Sequence, residues 1–284
     1  MAKPAVPLIR NISDTALWVA VYRARETERA DALFRDPFAR KLAGERGEQI
    51  ARDLQAGQRY EWPYTARTVR FDQIITEQIK QGTEMVINLA AGLDTRPYRM
   101  DLPPSLKWIE VDLPAMIDYK EGILAGEKPR CTLVRVRLDL ADVAGRRSLF
   151  GELGRNARKV LVVTEGLLTY LTRDEVAALG RDLAAQSSFC DWAIDLCSPG
   201  LLKMLQKNLA ALSEAGSPLK FGPEEGPEFF TAFGWRPAEV YSMLKTAAKI
   251  KRLSFFLRLM ALLPESNGHQ GSRPWGAVCG LTRM

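Results

Sequence analysis

The sequence is poor in the side chains that many catalytic classes need. It has one histidine, His269, in a polar glycine-rich stretch that we expect to be a solvated loop. A single histidine excludes histidine-rich metal sites and argues against a Ser-His-Asp triad, so we expect neither a metal nor a histidine base. No C-x-x-C pair occurs, and we expect buried free thiols in a reducing cytoplasm. The four cysteines are Cys131, Cys190, Cys197 and Cys279.

Long apolar runs are also missing. No stretch approaches the roughly 18 apolar residues of a membrane span, and the start Met1-Ala2-Lys3-Pro4 lacks the apolar segment of a signal peptide. The 284 residues, 46% of them hydrophobic, suit one large domain or a domain with an appendage. The net charge of +6 comes from basic residues dispersed among acids. This dispersion predicts an enzyme that attracts an anionic small molecule, and no nucleic-acid partner.

Residues 12–80 show helical periodicity and no strand alternation. Ser13 or Asp14 can cap the first helix, and Asp36-Pro37 predicts the start of another. A further helical face precedes Gly82 and consists of Phe71, Ile74, Ile75 and Ile79. We therefore expect residues 1–82 to form a helical amino-terminal cap, or lid, ahead of a second domain over 83–284.

From Glu84 onward strands and helices alternate, which indicates a parallel sheet covered by helices on both faces. Thr172-Arg173-Asp174-Glu175 is a capping box that predicts a helix start. Residues 200–265 form an irregular or helical insertion before the last strand. Within it, the basic and apolar stretch Glu239–Leu263 fits a membrane surface, but we favour a helix that packs on the sheet or covers the pocket. The predicted strands are 84–90, 107–112, 132–137, 159–164, 190–196 and 275–281.

A turn of small residues follows the first predicted strand. It begins Ala90-Ala91-Gly92, and small side chains there let a ligand approach the backbone closely. Asp112 ends the second predicted strand, twenty residues beyond Gly92. This spacing is typical of the acid that binds an adenosyl ribose in doubly wound sheets. Asp112 also suits a helix cap before Pro114. The turn has fewer glycines than a dinucleotide fingerprint, which argues against NAD.

Several segments in a fixed order resemble the leucine carboxyl methyltransferase family, in particular its bacterial branch, which includes polyketide O-methyltransferases. The similar segments are 13–16, 31–37, 86–99 (VINLAAGLDTRPYR), 108–114 (WIEVDLP), 138–140 (LDL) and 164–171 (TEGLLTYL). The resemblance implies an α/β fold, the Rossmann-like seven-stranded, mostly parallel sheet of class I methyltransferases, with its last strand antiparallel. It also implies S-adenosyl-L-methionine as the cofactor.

The resemblance assigns further roles around that cofactor. It implies that Asp139 and Leu140 lie against the adenine, although Asp139 also suits a cap of the next helix. Glu165 is expected to contact the cofactor near its methionine end. Arg67 matches the arginine that binds the methionine carboxylate, with Arg70 as its neighbouring competitor. Together with Ala90, Gly92 and Asp112, these residues make up the predicted cofactor site.

The sequence departs from the eukaryotic enzymes of the family, which have a lysine near the start that reaches the cofactor region. Here the aligned stretch is Ala16–Ala20, and the nearest basic residue is Arg23, a candidate for substrate binding. Methylation of a phosphatase tail is therefore not expected. We expect transfer of a methyl group to the carboxylate of a small or lipophilic metabolite. Alternatives are a phenol or enol hydroxyl in polyketide or other secondary metabolism, which needs a base, and a cofactor-binding protein without turnover. Candidate catalytic residues are Glu165, Tyr22 and Tyr170.

Overall fold

A computed structural model describes residues 13–53, 61–209, 216–265 and 271–284. A seven-stranded sheet organises these residues. Its strands are β1 Met85–Leu89, β2 Lys107–Asp112, β3 Thr132–Arg137, β4 Val160–Thr164, β5 Phe189–Cys197, β6 Trp235–Ser242 and β7 Gly276–Arg283. The strand order is β3-β2-β1-β4-β5-β7-β6. β1 to β5 run parallel, and β7 pairs antiparallel with both β5 and β6. The expected mostly parallel sheet with an antiparallel last strand is confirmed.

The buried centre of the sheet explains why its strands are readable from the sequence. All five residues of β1 and of β4 are buried, so apolar residues run through each strand without alternation. Every predicted strand lies within one or two residues of an observed one. Core clusters cover the sheet on both faces, as the alternating pattern predicted.

β6 was not predicted, and the expectation of a helix over this part of the insertion was wrong. Its residues alternate poorly in hydrophobicity because β6 is an edge strand that pairs only with β7. Pro237 and Glu239 flank an irregularity in the register. Proline is tolerated at such an edge because its missing N–H leaves no ladder bond unmade.

The described residues ahead of the sheet are mostly helical, as expected, and contain three helices. They are α1 Ser13–Glu28, α2 Ala39–Asp53 and α3 Trp62–Lys80. α2 begins two residues after the predicted start at Pro37, where Ala39 donates its backbone N–H to the Asp36 carbonyl at 3.2 Å. α1 packs against α2 around buried residues such as Val21 and Leu42. The domain division after residue 82 stays a prediction.

The other helices within the described ranges connect the strands or follow them. They are α4 Arg96–Arg99, α5 Pro114–Ile123, α6 Val143–Arg155, α7 Arg173–Ala184, α8 Pro199–Asn208, α9 Met243–Lys249 and α10 Phe255–Met260, with 3-10 turns at Leu168–Tyr170 and Gly226–Phe233. The predicted capping box at Thr172 and Glu175 is confirmed. In the insertion, β6 is followed by two short helices rather than one, and α9 packs against α3.

Three of the four cysteine thiols are buried, and the fourth, Cys190, is half-buried. All four are free, as predicted. His269 lies outside the described residues. No helix in the described ranges is both long and apolar enough to cross a bilayer.

Candidate functional site

A cavity of about 1540 Å³ opens at the carboxyl ends of β1, β4 and β5. This is the edge where parallel α/β sheets bind their ligands. Backbone and polar side chains from the turn after β1, from β4–β5 and from α3 line its inner end. Most of the remaining wall is apolar. The apolar wall includes Trp18, Val19, Trp62, Leu201, Leu205, Leu219, Met243, Leu257 and Trp275.

The turn after β1 brings the predicted small residues together with Asp112. Ala90 and Gly92 both have left-handed backbone, with φ of 53° and 48°. Gly92 donates its N–H to Asp112 Oδ2 at 2.6 Å, and Leu113 donates to Oδ1 at 2.7 Å. A side chain on Gly92 would also meet the Cβ of Ala16 on α1 at 3.4 Å. The turn is therefore fixed by the acid behind it and approached closely by the first helix.

Burial raises the pKa of Asp112, and the hydrogen bonds from Gly92 and Leu113 only partly oppose this rise. The carboxyl group therefore lies in a largely desolvated position. Hydrogen bonds to a ligand are stronger there than in water.

Arg67 on α3 forms the centre of a buried ion-pair network. Its Nε donates to Glu165 Oε1 at 3.1 Å, and its Nη1 donates to Asp195 Oδ2 at 3.1 Å. Burial alone would lower the pKa of Arg67, but Asp195 and Glu165 hold it above its ordinary value. Burial raises the pKa of Asp195 despite this guanidinium. The second oxygen of Asp195 accepts the Gly166 N–H at 2.7 Å.

Arg96 extends the network from the other side. Its Nη2 lies 2.8 Å from Glu165 Oε2, so Glu165 bridges two guanidinium groups. Arg96 also pairs with Asp72 and Asp94, each at 2.7 Å. Sequence reasoning missed both Arg96 and Asp195 as site residues. The sequence held a signal for each of them. Arg96 lies within the segment 86–99 that resembles the family, and Asp195 is an acid near the carboxyl end of the predicted strand 190–196.

The structure separates Arg67 from its competitor. Arg67 lines the cavity, whereas Arg70 donates to Thr246 Oγ1 at 3.0 Å and stacks over the Tyr241 ring with 4.4 Å from its guanidinium carbon to the ring centroid. Arg70 is thus engaged with α9 and β6. This placement favours Arg67 for ligand contact, and its role remains a prediction.

Asp139 and Leu140 follow β3 in the chain and are not among the residues that line the large cavity. Asp139 is exposed, and its Oδ1 accepts the Ala141 N–H at 2.9 Å in a local turn. Leu140 is half-buried against the main core cluster. The helix that follows, α6, is capped by Asp142 instead of Asp139. The predicted adenine contacts stay predictions.

The two candidate tyrosines differ in position. Tyr170 lines the cavity, whereas Tyr22 stacks on Tyr64 with their ring centroids 4.8 Å apart. Burial raises the pKa of Tyr22 to about 12, and burial also raises the pKa of Tyr170. Neither phenol is therefore ionised near neutral pH.

Arg23 is engaged with the protein itself. Its Nε donates to Asp36 at 2.9 Å and its Nη2 donates to the Leu93 carbonyl at 2.5 Å. It lines the cavity, and its guanidinium ties α1 to the turn after β1. Its predicted part in substrate binding remains open.

Within the described ranges, no group of three or more His, Cys, Asp or Glu side chains is placed to hold a metal ion.

Comparison with known protein sequences shows which family this chain resembles. The profile of the leucine carboxyl methyltransferase family matches residues 16–184, more than half of the chain. A proposed S-adenosyl-L-methionine-dependent methyltransferase of Streptomyces avermitilis is 31% identical over 84% of this chain and 87% of its own length. One of the same description from Frankia alni is also 31% identical, over the same shares.

Solved structures share the fold. A proposed methyltransferase from Thermobifida fusca aligns with a TM-score of 0.57 and 15% identity, over 98% of this chain and 96% of its own. A DUF574 family protein from Streptomyces avermitilis aligns with a TM-score of 0.59 and 13% identity, over 93% and 97%. By its sequence profile and its curated relatives, this chain belongs to the leucine carboxyl methyltransferase family.

Proposed function

We propose that this protein is an S-adenosyl-L-methionine-dependent O-methyltransferase that converts the carboxylate of a lipophilic metabolite into its methyl ester. Membership of a methyltransferase family supports methyl transfer. The assignment of the acceptor is carried by one observation. The cavity is large and mostly apolar, and every carboxylate among its described lining residues is ion-paired.

The residues at the inner end of the cavity fit the cofactor. When bound, S-adenosyl-L-methionine supplies an electrophilic methyl group on a sulfonium. The Ala90–Gly92 turn lines the cavity with backbone and without bulky side chains. Asp112 is not itself a lining residue, but it accepts the Gly92 N–H directly behind the turn, and we assign it to accept ribose hydroxyls. Arg67 uses two of its five N–H donors on Glu165 and Asp195, which leaves donors for a methionine carboxylate. We assign Glu165 to orienting Arg67 and to balancing positive charge.

The ionisable groups of the cavity explain why a carboxylate is the fitting acceptor. Each acid that lines the described cavity is ion-paired: Asp94 with Arg96, Glu165 with Arg67 and Arg96, Asp195 with Arg67, and Glu265 with Lys245. The pKa of Tyr170 is raised, so it is a poor base at neutral pH. A carboxylate is already ionised at pH 7 and attacks a methyl group without a base. The protein then contributes positioning and the exclusion of water.

A phenol or enol of a polyketide is the second candidate acceptor. Its pKa lies higher, so its reaction needs a proton acceptor. Asp195 has a raised pKa and lines the cavity, which is the observation that favours this alternative. A protein that binds the cofactor without turnover is the third.

Product chemistry distinguishes these functions. The purified protein is incubated with a labelled methyl donor and panels of lipophilic acids and phenols, and each product is treated with mild alkali. We expect a labelled product that releases methanol, as methyl esters do. An alkali-stable ether would refute the carboxylate assignment and retain methyl transfer. No transfer to any member of either panel, with the cofactor bound, would favour the binding protein.

A further inference from the structure

An exposed apolar surface lies beside the mouth of the cavity. We call it the apolar rim, and it consists of Phe255, Phe256, Leu259, Leu262 and Leu263 on and after α10. Phe255 is 78% exposed and Leu262 is 80% exposed. Apolar side chains are common on surfaces as single residues, but a contiguous group of this kind marks an interaction site.

The opposite side of the same segment is anchored in the protein. Leu257 packs in a cluster around the buried residues Ala66, Leu253 and Ala261. The outward position of the rim is therefore fixed by packing on α3, the helix that carries Arg67. Phe255 and Phe256 are therefore exposed while α10 is folded and packed against the protein.

The rim is continuous with the cavity. Leu263 is 60% exposed and also lines the cavity, and Met260 and Met204 are likewise exposed residues of its wall. Exposed apolar side chains thus connect the rim to the wall of the cavity.

Exposed positive charge lies in the same segment as the rim. Residues 249–263 contain Lys249, Lys251, Arg252 and Arg258 and no acid. Lys249, Lys251 and Arg258 form no ion pair with the described part of the chain. The nearby acids are already paired, Glu26 and Asp31 with Arg252 and Glu265 with Lys245.

We propose that the apolar rim docks this protein on the surface of an anionic lipid bilayer, with the rim among the acyl chains and the surrounding cations at the headgroups. Exposed aromatic and leucine side chains flanked by lysine and arginine are the composition of interfacial segments. A second copy of this chain is a poorer occupant, because a symmetric contact would bring the same unpaired cations together. The docking does not depend on which group is methylated.

The test measures sedimentation of the full chain with vesicles of phosphatidylcholine alone and of phosphatidylcholine with phosphatidylglycerol. We expect binding to the anionic vesicles and much weaker binding to the neutral ones. Phe255→Ser with Phe256→Ser should lower the partition coefficient by roughly tenfold or more. Lys249→Ala should lower it about fivefold, on anionic vesicles only.

Matched controls lie far from the rim. Val134→Ser on β3 removes another exposed apolar side chain, and Lys128→Ala removes another exposed cation. Both should leave partition unchanged, and thermal melting should show that every variant is folded. The proposal is overturned if the wild type binds neither vesicle, or if the double variant binds like the wild type. A wild-type dimer that the double variant disrupts, without vesicle binding, would assign the rim to a second copy instead.

Discussion

At the scale of single residues, Asp112 carries the prediction that bears most directly on the cofactor. Asp112→Ala should weaken binding of S-adenosylhomocysteine by roughly 10- to 100-fold, because one or two charge-assisted hydrogen bonds to the ribose are lost. Isothermal titration calorimetry measures the effect. Asp118→Ala is the matched control, since Asp118 lies on α5 in an exposed ion pair with Arg137. An unchanged dissociation constant for Asp112→Ala would remove the ribose assignment.

A second prediction concerns Asp94 and the stability of the fold at acidic pH. Burial would raise the pKa of its carboxyl, but Arg96 and other nearby cations hold it well below the ordinary value of 3.8. A carboxyl group whose pKa is lower in the folded than in the unfolded protein stabilises the fold at pH values above its unfolded pKa. This contribution to the free energy of unfolding declines as the pH falls below about 3.8. Asp94→Asn should therefore be less stable than the wild type at pH 6, by about 1–3 kcal/mol.

The gap in unfolding free energy between Asp94→Asn and the wild type should narrow from pH 6 to pH 2. Urea titrations across this range measure it. Asp118→Asn again serves as the control, and a gap that stays constant with pH would mean that Asp94 does not stabilise the fold through its charge.

At the scale of elements, the cavity lies between the carboxyl ends of the strands and the amino-terminal helices α1 and α3. α3 supplies Arg67 to Glu165, the residue after β4, and α1 approaches Gly92 through Ala16. A ligand between these elements would tie them together. Amide hydrogen exchange in α1 and α3 should therefore slow when S-adenosylhomocysteine is added.

The control element for this measurement is α7, Arg173–Ala184, which packs against α6 and the 3-10 turn at Gly226–Phe233. Its exchange should not change. If α1 and α3 exchange at the same rate with and without the ligand, the amino-terminal helices are a fixed wall and do not close over the cofactor.

At the scale of the whole molecule, the cavity of about 1540 Å³ exceeds what a small polar acid would fill. Full burial of a methylene contributes about 0.8 kcal/mol, or roughly a fourfold gain. In a series of straight-chain acids, kcat/KM should therefore rise up to roughly fourfold per added methylene until the cavity is filled. Steady-state kinetics with a labelled methyl donor test this. A flat series would argue against a lipophilic acceptor and leave methyl transfer itself intact.

Much of this protein follows from local sequence. Apolar runs such as Val160–Thr164 predict buried strands, and Thr172 with Glu175 predicts a helix start, because each signal is contained within a few neighbouring residues. The pairing of Gly92 with Asp112 was also foreseeable. Adjacent parallel strands bring their carboxyl ends together, and the chain from one end to the other is short.

Tertiary structure alone decided the rest. β6 is a strand because β7 offers it a partner, although its own residues alternate poorly. Arg67 meets Asp195 across 128 residues of chain, and no local pattern relates the two. The cavity, its set of paired acids and the exposed rim arise where separate elements converge. Sheet order and helix packing set such long-range contacts, and these depend on the whole chain folding at once.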